Sequence, residues 1–215
     1  MNAIHIRRIV VAALLVGGAS LALANSNGPP AASTGAPAIG GKAAEVDCTD
    51  CHTGNALNTG GSIALTGAPA YYTPGQVYII TVNVASSQTA AITDRLWGFQ
   101  LTAVKVSDGT GAGTFANVTG QNTRIRTGSG DFSTRSYIEQ SGTGLQMNVA
   151  SPVSWQIQWT APAAATGSVI FSFAGMAADG VNGESGDWVY TGSFSSKDVT
   201  PARQTTWGQL KSAYR

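Results

Sequence analysis

Beyond residue 60, apolar and polar side chains alternate along the chain with a period of two. The alternation is clearest at residues 153–160, where Val153, Trp155, Ile157 and Trp159 are separated by Ser, Gln and Gln. Because this period places alternate side chains on one face, the segment is predicted to be a strand whose apolar face is buried. The same pattern recurs at residues 77–84, 97–103, 169–173 and 188–190, and more weakly near 62–66, 114–118, 122–127 and 135–139.

Turn-forming pairs separate these segments, and no long helical pattern occurs between them. Pro74-Gly75, Asp108-Gly109 and Asn182-Gly183 lie where hairpin or turn chemistry is needed. Trp155 and Trp159 share a strand face with Val153 and Ile157. Both indoles are therefore predicted to lie in a core. We therefore predict an all-β fold, an immunoglobulin-like antiparallel β-sandwich of seven to nine strands.

The N-terminus has the pattern of an export signal. Arg7 and Arg8 precede an uncharged apolar run from residue 9 to 24, which ends in Ala22-Leu23-Ala24. A small residue at each end of that last triplet is typical of signal-peptidase cleavage, although an uncleaved anchor is the alternative. We predict a signal peptide over residues 1–24 and a periplasmic or extracellular protein with no membrane span after cleavage.

Composition and charge support an exported β-domain. Without Arg7 and Arg8 the chain has ten basic and eleven acidic residues, so no basic surface for nucleic acid is predicted. Residues 25–60 are rich in Gly and Pro and are interpreted as an extended segment, of which 25–46 form a linker outside any core. The sandwich domain is predicted over residues 61–200, followed by a short tail over 201–215.

The chemistry of the chain is concentrated in Cys48-Thr49-Asp50-Cys51-His52, which contains both cysteines. A Cys-x-x-Cys-His run is the attachment pattern of a c-type haem. Each thiol adds to one porphyrin vinyl group, and the adjacent histidine then becomes the proximal iron ligand. A Cys48–Cys51 disulfide and a thiol oxidoreductase are the alternatives. A zinc site would need a fourth ligand that the mature chain does not supply.

The sequence also resembles the bacterial Reeler-like, "choice-of-anchor V" domain proteins, many of which pair a CxxCH segment with a β-sandwich. The resemblance covers roughly residues 33–195. It rests on an ordered set of stretches: residues 34–37, 48–54, 72–78, 97–103, 137–140, 155–162 and 174–180. It implies a surface or periplasmic sandwich domain and no particular reaction. Family members often have histidine in place of Gln140 and asparagine in place of Met176.

The sixth position of the iron depends on the residues that remain after cleavage. His5 lies in the predicted signal peptide, so His52 is the one histidine of the mature chain, and a methionine is the candidate for the sixth ligand. Met176 is preferred to Met147, and an open or water-bound iron is the third alternative. Asp179, Glu184 and Asp187 match no calcium-loop template and are interpreted as a solvated turn.

These observations predict a monohaem c-type cytochrome with one covalent haem c that exchanges single electrons with redox partner proteins. Cys48, Cys51 and His52 bind the haem, with Met176 as a second metal ligand. The chain offers no Ser-His-Asp set, so an enzyme is not predicted. The alternatives are a haem-free surface or adhesion module and a haem sensor or peroxidase-like site. A haem shared with a neighbouring subunit, which implies a homo-oligomer, is a further hypothesis.

Overall fold

The computed structural model describes residues 28–164, 166–181 and 183–199. The predicted signal peptide, the tail and Asn182 of the Asn182-Gly183 turn lie outside these residues. Within them the chain forms eleven strands. These are β1 (Thr53–Gly54), β2 (Gly61–Thr66), β3 (Tyr71–Tyr72), β4 (Val77–Ser86), β5 (Leu96–Lys105), β6 (Thr114–Asn117), β7 (Thr123–Thr127), β8 (Ser136–Gln140), β9 (Val153–Thr160), β10 (Val169–Ala178) and β11 (Ser185–Asp198).

The strands form two sheets. The larger sheet has the order β1-β11-β10-β5-β8-β7, with β3 also paired to β11, and the smaller has the order β2-β4-β9-β6. All pairs among the nine longer strands are antiparallel, whereas β1 and β3 run parallel to β11. The predicted two-sheet β-sandwich is therefore confirmed, and each predicted strand corresponds to one of the nine longer strands.

The core lies between the sheets and consists of the side chains that the alternation assigned to it. Trp155 and Trp159 are completely buried, as predicted. Trp159 packs edge-on against Tyr72 and Phe171, with ring centroids 5.8 and 4.8 Å apart. Its indole N–H donates to the Ala112 carbonyl at 3.0 Å, so its polar atom is satisfied inside the core.

The N-terminal segment packs on the face of the larger sheet that points away from the core. In β5, Phe99 and Leu101 point into the core, so Gln100 between them points outward. The amide of Gln100 accepts a hydrogen bond from Ser33 N (2.8 Å) and donates one to the Pro30 carbonyl (2.8 Å). The prediction that residues 25–46 form a linker outside any core is wrong for this stretch, because Thr34, Ala36 and Glu45 are buried.

The helical elements of the described residues are four 3₁₀ turns of three residues each: Cys48–Asp50, Ile92–Asp94, Gly130–Phe132 and Gly142–Gly144. None of the helices in these parts of the chain has the length and apolar character needed to cross a membrane. The Cys48–Asp50 turn lies against β10 and β11 of the larger sheet.

Candidate haem-binding site

The Cys48–His52 segment is held in a tight turn by its own backbone. Cys51 N and His52 N both donate to the Cys48 carbonyl, at 3.3 and 2.8 Å. The Asp47 carboxylate accepts from Thr49 N at 2.7 Å and from the Thr49 hydroxyl at 2.6 Å, which caps the start of the turn. The local sequence therefore fixes how Cys48, Cys51 and His52 are presented.

Strand β1 anchors this turn to the far end of the chain. Thr53 N donates to the Glu184 carbonyl at 2.7 Å, and Thr53 lies opposite Ser185 in the parallel pairing with β11. The side-chain amide of Asn55 donates to the carbonyls of Gly186 and Asp187. These contacts bring His52 against β11, more than 130 residues further along the chain.

The imidazole of His52 contacts a buried carboxylate. Its Nδ1 lies 2.6 Å from Asp187 Oδ2, and the Asp187 side chain is fully shielded from solvent. The other oxygen, Oδ1, accepts from Asp179 N at 3.1 Å. Because a carboxylate only accepts hydrogen bonds, the neutral form of His52 carries its proton on Nδ1 and has the Nε2 lone pair available for a metal. The interpretation of Asp187 as part of a solvated turn is wrong, since the β1–β11 pairing covers it.

Next to this pair is a cavity of about 380 Å³, a size within the usual range for small-molecule and cofactor sites. Cys48, Cys51, His52 and Met176 all line it. Its walls are mainly apolar and come from two places, residues 29–33 and 46–52 of the N-terminal segment and the outward face of the larger sheet. The structure thus brings the four predicted haem-binding residues to one cavity.

The two candidate methionines lie in different environments. Met176 is half-buried in β10, directly opposite Gly98 of β5, and both residues line the cavity. Met147 is 58% exposed and borders a separate depression whose other side chains are mostly amides and hydroxyls. Among the described residues, Met176 is therefore the methionine that shares a cavity with His52.

Sequence reasoning missed the part that Gln140 has in this cavity. Its side-chain carbonyl accepts from Phe99 N at 2.7 Å, and the residue is only 3% exposed. The amide Nε2 lies 2.7 Å from the position that a Cβ on Gly98 would take. Gln140 and Met176, the two departures from the resembling family, both line the cavity.

Both cysteines are free thiols in the structure. Burial, followed by the negative charge of Asp47, raises the pKa of Cys48 to about 12. Burial and the charge of Glu184 also raise the pKa of Cys51. A redox-active thiol normally has a lowered pKa because the thiolate is the attacking form, so this environment does not favour the thiol oxidoreductase alternative.

The residues around the cavity suit a c-type haem. Two thiols in Cys-x-x-Cys spacing, an imidazole with a free Nε2 and a thioether surround a largely apolar space. A macrocycle with an iron at its centre needs these donors and such walls. Gly98 contributes to the cavity wall because its missing side chain leaves room for the Gln140 amide, which a Cβ would approach to 2.7 Å. In the described parts of the chain, no three or more His, Cys, Asp or Glu side chains converge as a separate metal site.

The strand pairing defines the chain as a β-sandwich protein with a cavity on one outer sheet face. Solved structures similar to it include the human F-spondin Reeler domain (fragment 1), 20% identical, with 67% of this chain and 94% of that chain covered and a TM-score of 0.39. A second structure of F-spondin, its Reelin-N domain, is also 20% identical, with coverage of 68% and 93% and a TM-score of 0.40. A cohesin module from a Clostridium perfringens family 33 glycoside hydrolase is 8% identical, with coverage of 66% and 98% and a TM-score of 0.40.

Reeler domains, the resemblance expected from the sequence, are thus among the solved structures similar to this chain. No protein-family model matches the chain, and no curated protein sequence matches it. The sandwich architecture itself rests on the strand pairing.

Proposed function

We propose that this protein is an exported monohaem c-type cytochrome that transfers single electrons. The observation that carries the proposal is the shared cavity of Cys48, Cys51, His52 and Met176, where the contact of His52 Nδ1 with Asp187 would leave Nε2 for a metal. The predicted signal peptide supports export, since c-type haem is attached outside the cytoplasm.

Each residue has a distinct part in binding. Cys48 and Cys51 would hold the haem through thioether bonds, and their half-buried position on the cavity wall would keep the attachment close to the sheet. His52 would hold the iron through Nε2, while Nδ1 stays hydrogen-bonded to Asp187. Met176 would offer its thioether to the iron. Pro29 and Pro30 of the N-terminal segment contribute apolar surface to the cavity walls.

When bound, the haem would supply a one-electron couple between a reduced donor protein and an oxidised acceptor protein. The sandwich would contribute rigidity, because Gly98 and Met176 of the cavity lie on β5 and β10, and Asp187, which holds His52, lies on β11 of the same sheet. The redox partners are proteins of this donor and acceptor class.

An intact mass and a visible spectrum test the proposal. Full-length protein is expressed together with c-type maturation machinery, and the cleaved product is purified. We expect a mass gain of one haem, with a Soret band that persists after acid–acetone extraction because the haem is covalently bound. The matched control is a Cys48→Ala, Cys51→Ala double variant, which should lose the covalent haem.

The other readings are outcomes of the same experiment. A bare polypeptide mass, less two hydrogens, would overturn the cytochrome and leave a haem-free binding module with a Cys48–Cys51 disulfide. A covalent haem that is high-spin and binds carbon monoxide or cyanide readily would contradict electron transfer with Met176 ligation and indicate a sensor or peroxidase-like site. Native mass spectrometry at working concentration would show whether the haem is held by a monomer or shared in a dimer.

A further inference from the structure

The carboxylate of Asp187 holds the candidate haem ligand from inside the protein. Its two oxygens accept from two donors, His52 Nδ1 and Asp179 N. No Lys or Arg among the described residues forms an ion pair with it, and its side chain has no contact with solvent. Within these residues, no Lys or Arg charge therefore offsets that of Asp187.

We propose, on the basis of the proposed haem attachment, that Asp187 is a positioning residue with a second, electrostatic effect. It fixes His52 in the Nδ1-protonated tautomer, and its negative charge favours the oxidised state of the bound iron over the reduced state. The protein then works at a lower reduction potential than the same ligands would give with a neutral hydrogen-bond acceptor.

Asp187 would act on the bound iron in two ways. A carboxylate that accepts the Nδ1 proton makes the imidazole more basic, which strengthens its donation to the metal. The oxidised state also carries one more positive charge than the reduced state, so a nearby negative charge stabilises it more. Burial increases this effect, since water cannot screen a charge that is fully shielded from solvent.

The neighbouring charges have the same sign. Asp47 lies close enough to Cys48, and Glu184 and Asp50 close enough to Cys51, to act on those thiols electrostatically. A methionine ligand acts in the opposite direction and raises the potential. Asp187 and Met176 therefore have opposite effects on the reduction potential. Removing the Asp187 charge should raise the potential, and removing the Met176 thioether should lower it.

The test compares Asp187→Asn with Asp131→Asn in the haem-loaded protein. Both variants remove one negative charge, but Asp131 is exposed, lies outside the cavity lining and has its charge screened by water. We expect Asp187→Asn to favour reduction at least tenfold, a positive shift of about 59 mV for one electron, measured by spectroelectrochemical titration. Asp131→Asn should shift the potential much less. Asp187→Glu keeps the charge and should stay nearer to the wild-type potential.

A second readout needs no haem. Nitrogen-15 NMR of the haem-free protein should show His52 protonated at Nδ1 in the wild type and redistributed between Nδ1 and Nε2 in Asp187→Asn. Equal potentials in Asp187→Asn and Asp131→Asn would overturn the electrostatic claim, and an unchanged tautomer would overturn the positioning claim. Failure of the proposed function is seen separately, as a wild-type protein without covalent haem, and the NMR measurement still decides the role of Asp187 in that case.

Discussion

Glu45 of the N-terminal segment accepts a hydrogen bond from the guanidinium of Arg135, 90 residues further along the chain, and neither side chain is exposed. The same carboxylate also accepts from the hydroxyls of Tyr137 (2.6 Å) and Thr34 (2.5 Å). This cluster joins the segment that carries the haem motif to the end of the larger sheet where β8 begins. It therefore contributes to the position of the cavity wall.

Replacing Glu45 with Ala should destabilise the protein by about 3–5 kcal/mol, because the buried Arg135 would lose its ion-pair partner and keep only the Gly109 carbonyl and the Phe132 ring. Chemical denaturation followed by circular dichroism measures the free energy of unfolding. The matched control is Lys105→Ala, which breaks the exposed pair with Asp108 (3.9 Å) and should cost no more than about 1 kcal/mol. Equal effects of the two substitutions would contradict the role given to Glu45.

Gly98→Ala should reduce both haem content and stability. The new Cβ would lie 2.7 Å from Gln140 Nε2 and 3.0 Å from its Cδ, so the Gln140 side chain must move and its bond to Phe99 N weakens. Overpacking of this kind costs about 1–3 kcal/mol. Thermal unfolding and the ratio of Soret to protein absorbance measure the two effects. In a Gln140→Ala background the same substitution should cost less, and an equal cost there would show that the clash is not the cause.

The sequence pattern was sufficient to locate the strands because burial of one strand face has a local period. The pattern fails to locate strand residues where apolar and polar side chains no longer alternate. Strand β11 extends over Ser185–Asp198, whereas the pattern indicated residues 188–190, because residues 191–197 are mostly Thr, Gly, Ser and Lys around a single Phe. Those residues are strand because they pair with β10, and a pairing across the sheet leaves little trace in one strand's own sequence.

Some parts of the candidate site could likewise be predicted from the sequence, and others could not. The Cys-x-x-Cys-His motif could be identified from its spacing alone, and the small number of remaining donors gave Met176 and Met147 as candidate ligands. Asp187 could not, because its contact with His52 spans 135 residues and depends on the β1–β11 pairing. The docking of the N-terminal segment was also missed. Its sequence has few large apolar groups, and polar contacts such as those of Glu45 and Gln100 hold it in place.

Met176 and Met147 provide a matched pair for the sixth ligand. Met176→Leu conserves volume but removes the thioether from the cavity, so the long-wavelength charge-transfer band of methionine bound to ferric haem should disappear and the potential should fall. Met147→Leu changes an exposed side chain outside the cavity and should leave both unchanged. Loss of the band in Met147→Leu and its survival in Met176→Leu would reverse the assignment.

The raised pKa of the Cys48 thiol predicts slow alkylation in the folded, haem-free protein. With a pKa of about 12, only about one thiol in ten thousand is ionised at pH 8, whereas an unfolded cysteine with a pKa of about 8.5 is substantially ionised. The Cys51→Ser variant isolates Cys48. Its iodoacetamide rate at pH 8 should be about three orders of magnitude lower folded than in denaturant, and the folded rate should rise about tenfold for each pH unit up to pH 10. Because the folded pKa is the higher one, the stabilisation from the neutral thiol is complete below pH 8.5 or so and is lost as the pH rises towards about 12. Equal folded and unfolded rates at pH 8 would show that the thiol is not shielded by the cavity wall.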